Sequence, residues 1–480
     1  MHFPPFLGRR CALVLALALA PALEAQSAAP SFPSDTLRLS LGDAVSMAMR
    51  QSDEVGIASA QADVAEALYG TARASLLPQL RLNSTYTHVF ESARGQAVGS
   101  VFNQPNTYSG NLNLAQTLFQ GGRLVSAARA ADATRDAAHF DEREQRSIIT
   151  LQVARSYLQV LFTGRIAELQ AENLALATSR LVLVELYERA GRAARYDVLR
   201  SRVERANIEP LAIQARSDRE LAVLELKRLL NVPVDQPVAL VTKIDSASAA
   251  ALVAAADSGA VPDRASVHAA ELNAASKRLG IAVARADFFP AISVFIQSGY
   301  QAFPGIGQGF PRSFGDLTTN ACPVGTVAGK VCQNGGWFSD RQAGVNISMP
   351  IFDGFRVRSN LDLAQAQARL ADLQLRQQRE AVSVDVARAR AELRRAGAVF
   401  AARQQNSQEA NEAFQLATLR FSRGLSTQLE VSDAQVALLT AQSTEARATY
   451  DLFLASADLA RSLGRPIPLP SSAMAPATTR

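Results

Sequence analysis

Few of the 480 residues have a type and spacing suited to covalent chemistry. Past the first segment, the histidines are His88, His139 and His268, too scattered for the close ligand spacing of a metal centre. The glycines of PGIGQGF (304–310) fall in a loop between alternating segments, without the strand-to-helix context of a dinucleotide fingerprint. No nucleophile stands beside a base. The reading is therefore no catalytic residue, no metal and no cofactor, which makes this no enzyme. What recurs is backbone chemistry. TLFQGGRLVS (117–126) and PIFDGFRVRS (350–359) share Phe-x-Gly-x-Arg, and Phe119 and Gly121 are answered by Phe352 and Gly354 at an offset of 233. A β-compatible phenylalanine, a breaker and a cation mark a junction between two kinds of structure, and the elements on either side explain why it occurs twice.

The chain carries an export signal. Arg9 and Arg10 supply a positive start, Cys11 to Leu23 an apolar core, and Leu23-Glu24-Ala25 a small-residue exit, so 1–25 reads as a signal peptide. Its removal lowers the formal net charge from +5 to +4, too mild to indicate nucleic acid. Cys322 and Cys332 then remain, and in an exported chain a disulfide within one long loop is their first reading. No later segment has the roughly 18 to 20 uncharged apolar residues of a membrane helix. Contact with a membrane must come through strands or partners.

The offset of 233 persists downstream: Gly191 answers Gly424, and Leu230-Asn231 answers Leu463-Gly464. Two structural repeats follow. Each opens with an Ala-rich helical stretch, about 41–75 and 266–288, ended by Pro78 or Pro290. Two alternating segments come next. In QLRLNSTYTHVF (79–90), Leu80, Leu82, Tyr86 and Phe90 share one face and Arg81, Asn83 and Thr85 the other. The same alternation runs through SGNLNLAQTLF, PAISVFIQSGYQAF and GVNISMPIF, with Trp337 and Phe338 just before the fourth segment suited to an interfacial girdle. Period two over 9 to 11 residues fits a tilted membrane-spanning strand, although any one of them also suits a soluble sandwich with a wet face.

After each junction proline disappears. Gly121 to Gly191 and Gly354 to Gly424 predict long helices of about 105 Å. Their apolar pattern is heptad-like and diluted with alanine, with Leu363, Leu370, Val384 and Ala391 at multiples of seven. Return helices 196–231 and 428–463 are about half as long, and the helix before the strands can supply the other half. Pro210 predicts a kink in the first return helix. The organisation read from this is a signal peptide (1–25); a first repeat (26–231) with strand hairpin 79–119, long helix 121–191 and return helix 196–231; a linker (232–262); a second repeat (263–464) with hairpin 290–352, long helix 354–424 and return helix 428–463; and a tail (465–480). Four strands cannot close a barrel, and open edges cannot sit in lipid. Several copies must share one barrel, whose polar face lines a water-filled lumen extended by the helices.

Over nearly its whole mature length the chain resembles the TolC-type outer-membrane efflux proteins (outer membrane factors). The resemblance rests on LSLGDAVSMAM, TLFQGGR, PIFDGFR, the paired turns at Gly191 and Gly424, and the duplication. It implies a mixed, mainly α fold: an all-α periplasmic coiled-coil barrel continuous with a transmembrane β-barrel, each protomer giving four strands and two repeats. It further implies a homotrimer in outer-membrane lipid, an equatorial region, and partnership with a periplasmic adaptor and an inner-membrane pump. The function implied is the exit duct of a tripartite efflux or type I secretion system.

The resemblance also implies site residues. Gly191, Arg192, Gly424, Leu425 and Ser426 match the tip turns that meet the adaptor. Asp197, Glu430 and Asp433 match acidic positions of the periplasmic aperture, and Phe421 an aromatic that narrows it. Around one axis such acids form cation-attracting rings. Helix N-capping is the other role open to them, for Asp197 above all. Ser426 departs from relatives that carry a tip-locking arginine there, with Arg192, Arg195 and Arg423 close enough in sequence to substitute. Two other readings stand beside the channel: a periplasmic adaptor, which carries one hairpin rather than two, and a structural coiled-coil protein of the envelope.

Overall fold

The computed structural model describes residues 36–91, 93–98, 106–242, 262–304, 310 and 337–467. The signal peptide, Cys322 and Cys332, most of the linker and the end of the tail lie outside the described residues. In chain order the elements are β1 (Leu37–Leu39), α1 (Leu41–Gln51), α2 (Asp53–Ala74), β2 (Gln79–His88), α3 (Ala93–Val98), β3 (Asn106–Gln120), α4 (Arg123–Arg189), α5 (Arg195–Leu229), β4 (Val238–Leu240), α6 (Ala265–Arg285), β5 (Ala291–Ala302), β6 (Trp337–Ser348), α7 (Arg356–Ser422) and α8 (Gln428–Ser462).

The two long helices have 67 residues each, about 100 Å at 1.5 Å per residue. They fall short of the expected 71 because the glycines at both ends stand outside them. α4 packs against α5, α6, α2 and α8, and α7 against α6 and α8. The wall therefore runs α2–α4–α6–α7 in its membrane half and α5–α4–α8–α7 in the half toward the tips. α5 runs without interruption through Pro210 from Arg195 to Leu229. The helix expected over 41–75 is broken at Ser52, whose backbone is extended and whose hydroxyl donates to Glu54 Oε2 at 2.6 Å. α1 begins where the LSLGDAV motif forms a capping box. Ser40 Oγ accepts from the Asp43 N–H at 3.1 Å, and Asp43 Oδ2 accepts from the Ser40 N–H at 3.2 Å. The Ser40 hydroxyl and N–H hold the Asp43 carboxyl below its usual range.

Two stripes run along α7. Ala368, Ala371, Leu375, Val382, Val386, Leu393, Ala396 and Phe400 are buried within the protomer. The heptad residues Leu363, Leu370 and Val384 are exposed, as is Leu373. On the opposite flank of the wall, Ile57, Val64 and Leu68 of α2 are exposed as well. A helix with apolar neighbours on both sides needs both stripes, and one protomer supplies only one neighbour.

At the middle of the wall, β1 and β4 pair in parallel and join the start of the described chain to the linker. Tyr157 of α4 is fully buried there, donating to the Leu39 carbonyl at 2.9 Å and accepting from the Thr242 N–H at 3.3 Å. Nearby, Arg264 binds Glu144 at 2.8 Å and Asp385 at 3.0 Å, while Arg461 approaches Glu144 at 3.5 Å. This cluster ties α4, the start of α6, α7 and α8 together. Removing one partner of such a shielded group costs about 3–5 kcal/mol.

Candidate functional site

The four long strands form one antiparallel sheet in the order β2-β3-β5-β6. Its register sorts the side chains into two faces. One cross-strand row reads Arg81, Asn113, Gln297, Gln342, and the next row on that face Asn83, Asn111, Gly299, Asp340. The opposite face carries Leu80, Leu114 and Ile296, followed by Val294 with Val345 and Ile292 with Ile347. Amides and hydroxyls dominate one side, with the Phe295 ring over Gly344 among them, and aliphatics dominate the other, interrupted by Ser298, Ser339 and Arg341. At the end away from the helices the apolar face finishes in rings: Tyr86 stacks on Tyr108 at 4.7 Å, and Phe310 packs against Tyr108 and Trp337 at 5.2 and 5.8 Å. Trp337 and Phe338 lie within β6 rather than before it, because the ladder with β5 continues to the Ala302–Trp337 pair.

Both junctions differ from expectation in detail. β3 ends at Gln120, one residue past Phe119, after a bulge between Thr117 and Phe119. The bulge shifts parity, so Phe119 pairs with Ile292 on the apolar face. β6 ends at Ser348, four residues before Phe352, because Pro350 has no N–H for a ladder and forces the preceding residue extended. One glycine does not make either turn. Gly121 and Gly122 have φ of 57° and 79°, Gly354 and Phe355 of 69° and 66°, so each junction uses two consecutive left-handed residues. The motif's cations act differently in the two repeats. Arg123 pairs with Asp287, in the turn before β5, and so crosses between repeats. Asp353 caps α7 by accepting from the Val357 N–H at 2.9 Å, with Arg356 only at 3.9 Å. Gly121 is also packed: a Cβ there would lie 2.7 Å from the Ala286 carbonyl, whereas around Gly354 the space is open.

At the far end of the helices the two tips are alike. Gly191 (φ 72°) donates to the Glu188 carbonyl at 2.9 Å and Arg192 to Tyr187 at 2.7 Å. Gly424 (φ 74°) donates to Phe421 at 2.9 Å and Leu425 to Arg420 at 2.9 Å. Each is a Schellman ending with glycine where L-residues are strained. Arg192 lies over the Tyr187 ring at 5.1 Å, and Arg195 reaches Glu188 at 3.4 Å. Ser426 is half-buried, and its hydroxyl donates to the Thr427 carbonyl at 3.3 Å. Phe421 is half-buried one residue before the end of α7.

The acidic positions divide. Asp197 accepts from the Ala194 N–H at 3.2 Å and so serves as a cap of α5. The Glu430 N–H is satisfied by Thr427 Oγ1 at 3.4 Å, which leaves its carboxylate uncommitted. Glu430 and Asp433 are both exposed, and among the described residues neither has an ion-pair partner.

Sequence reasoning missed the polar cluster that joins the two hairpins just behind these tips. Glu204 of α5 accepts from Arg180 of α4 at 3.1 Å and from Ser432 of α8 at 2.7 Å. Arg180 also donates to Gln435 of α8, whose amide donates to Asn173 at 2.5 Å. Gln428 of α8 donates to the buried Ser201 at 3.1 Å. Burial holds the Arg180 guanidinium below its ordinary value despite Glu204 beside it. The pairs that cross the repeats stand 227 or more positions apart, and periodicity carries no signal of that contact.

Comparison with known proteins places these features. The described fold aligns with the outer membrane protein VceC of Vibrio cholerae at TM-score 0.70 and 21 % identity, covering 89 % of this chain and 97 % of that one. It aligns with the outer membrane channel CmeC of Campylobacter jejuni at TM-score 0.71 and 16 % identity, over 88 % and 85 % of the two chains. In sequence it is 25 % identical over 441 residues to the pyoverdine export outer membrane protein OpmQ of Pseudomonas putida, spanning 88 % of this chain and 85 % of the relative. It is 26 % identical over 385 residues to the toluene efflux pump outer membrane protein TtgF of the same species, over 78 % and 73 %. The profile of outer membrane efflux proteins matches residues 44–232 and 258–465, one match for each repeat. With both repeats matched in order and the strand-to-helix architecture shared, the chain belongs to the outer membrane efflux protein family.

Proposed function

We propose that three copies of this chain close into one conduit, set in the outer membrane by its strands and reaching through the periplasm by its helices, and that the tips dock a periplasmic adaptor serving an inner-membrane pump. One observation carries the trimer: the protomer is an open slab in both layers, with matching open flanks. β2 and β6 are the edges of the sheet, and among the described residues neither edge has a partner. β2 follows α2 and β6 leads into α7, the two helices whose outer flanks expose Ile57, Val64 and Leu68 on one side and Leu363, Leu370 and Leu373 on the other. A second copy satisfies strand edge and helix flank in a single contact. Lipid forbids unpaired edges, and membrane barrels begin at about eight strands, which two copies reach without the inner width that three provide.

The polar face of the sheet becomes the lumen, lined by amides and hydroxyls of mixed character rather than one sign of charge, so cargo is chosen by the pump. An adaptor or a structural coiled coil has no use for four strands with one aliphatic and one amide-lined face. At the tips, Glu430 and Asp433 form the acidic rings, Phe421 narrows the aperture, and Asp197 caps a helix. Gly191, Arg192, Gly424, Leu425 and Ser426 present the surface for the adaptor.

Purified protein in detergent should have the mass of a trimer and give stepwise conductance in planar bilayers. A monomer that forms no pores overturns the reading. E430Q/D433N should lower cation selectivity about severalfold with conductance retained. Unchanged selectivity reduces both residues to helix-end acids.

A further inference from the structure

We infer that Arg341 binds the phosphate headgroup of an outer-leaflet lipid, giving three such sites around a trimer. The inference rests on the outer-membrane reading above.

Register assigns the face. Arg341 lies in the row Leu82, Leu112, Ser298, Arg341, and along β6 it alternates with Asp340 and Gln342 of the polar face. It shares the apolar face with Trp337, Ala343, Val345 and Ile347, and it is exposed. Depth follows from strand geometry. A strand rising about 3.4 Å per residue and tilted about 40° climbs about 2.6 Å per residue. Arg341 is four residues from the ring cluster at Trp337 and seven from the helix-side end at Ser348, so it sits about 10 Å below the first and 18 Å above the second. That is the leaflet away from the helices.

A cation facing hydrocarbon at this depth is costly unless its long side chain rises to an anion. Among the described strand residues, that face carries no acid. Its neighbours in the sheet there are Ser298, Tyr300, Ser339 and Ala343. Across the seam, the edge strand of the next copy is QLRLNSTYTH, which contains no acidic residue at any position. No register between the two copies places an acid of that strand beside Arg341. Glu91, just beyond β2, is the only acid close in sequence to that strand among the described residues. A guanidinium matches phosphate oxygens with two parallel hydrogen bonds. The Ser339 hydroxyl shares its face, and Leu82, Leu112 and Ile296 offer an aliphatic bed for acyl chains. A single cation in an aliphatic field, level with a leaflet of phosphorylated lipid, is complementary to that lipid in charge and in apolar surface.

Native mass spectrometry of the detergent-solubilised trimer tests this with bisphosphorylated lipid A, a dephosphorylated lipid A of the same acylation, and phosphatidylethanolamine. The wild type should retain up to three bisphosphorylated lipids per trimer, with a preference of about tenfold over the dephosphorylated form. R341Q should abolish that preference and R341K should keep part of it. Equal retention by wild type and R341Q overturns the inference, as does a preference that appears in E91Q but not in the wild type, since Arg341 then pairs with Glu91. Both results leave an intact, conducting trimer, whereas failure of the wild type to form one refutes the outer-membrane reading itself.

Discussion

Replacing Arg180 by glutamine tests whether the return helix of the second hairpin is held against the first. Arg180 is 11 % exposed and Glu204 24 %, so solvent screens the pair poorly. R180Q removes charge-assisted bonds to Glu204 and Gln435, each worth about 1.5–3 kcal/mol, and leaves Glu204 with Ser432 as its remaining donor. Relief of the buried guanidinium's desolvation returns part of that, for a net loss of about 2–4 kcal/mol. The ratio of docked to undocked α8 should then fall about thirtyfold to several hundredfold. E204Q keeps the geometry without the charge and should cost about 1–2 kcal/mol, and the double variant should show a coupling of about 1–2 kcal/mol. Single-channel recording in planar bilayers reads the effect: R180Q should show longer openings and larger conductance steps than wild type, with the double variant less than additive. An R180Q trimer of unchanged mass with wild-type steps and dwell times refutes the claim that this cluster holds the tips together.

Two further outcomes follow from the same geometry. G354A should destabilise by about 1–2 kcal/mol, the cost of an L-residue in left-handed backbone, while G121A adds about 1–3 kcal/mol from contact with the Ala286 carbonyl; trimer dissociation on heating should rank wild type, G354A, G121A, and the reverse order of the two variants sinks the account of the junctions. His268 is raised above its ordinary 6.5 chiefly by Asp263 Oδ1 at 2.6 Å, with Glu271 at 3.5 Å adding to it. Its stabilisation is fully present below pH 6.5 and is lost as pH rises through the raised folded value. H268Q should therefore lower the thermal midpoint modestly at pH 5.5 and hardly at pH 8.5, and parallel pH curves for the two proteins would exclude that coupling.

Much of the architecture was legible because it is written in local pattern. The period-two segments, the long proline-free stretches and the offset of 233 each report an element or its copy without reference to distant contacts, and the strand and helix cores lie where those patterns run. Element ends were less legible. The break at Ser52 carries a short-range bond to Glu54, β6 stops short of Pro350, and the bulge before Phe119 is fixed by the ladder with β5; the pairs of left-handed residues at the junctions appear only once strand and helix directions are both known.

What the sequence determined by itself is the repeat, the type of each long element, and a polar and an apolar face on each of the four long strands, since each follows from backbone sterics and the spacing of apolar residues. Tertiary structure decided which of those faces meet. It exposed the heptad leucines of α7 and buried a second stripe, committed Asp197 to a cap while leaving Glu430 and Asp433 without an ion-pair partner among the described residues, and set Arg180 against Glu204 of its own repeat and Gln435 of the other, with Ser432 of the other repeat on Glu204. The buried stripe and the cross-repeat cluster depend on residues far apart in the chain arriving at one place, and no local periodicity records that distance.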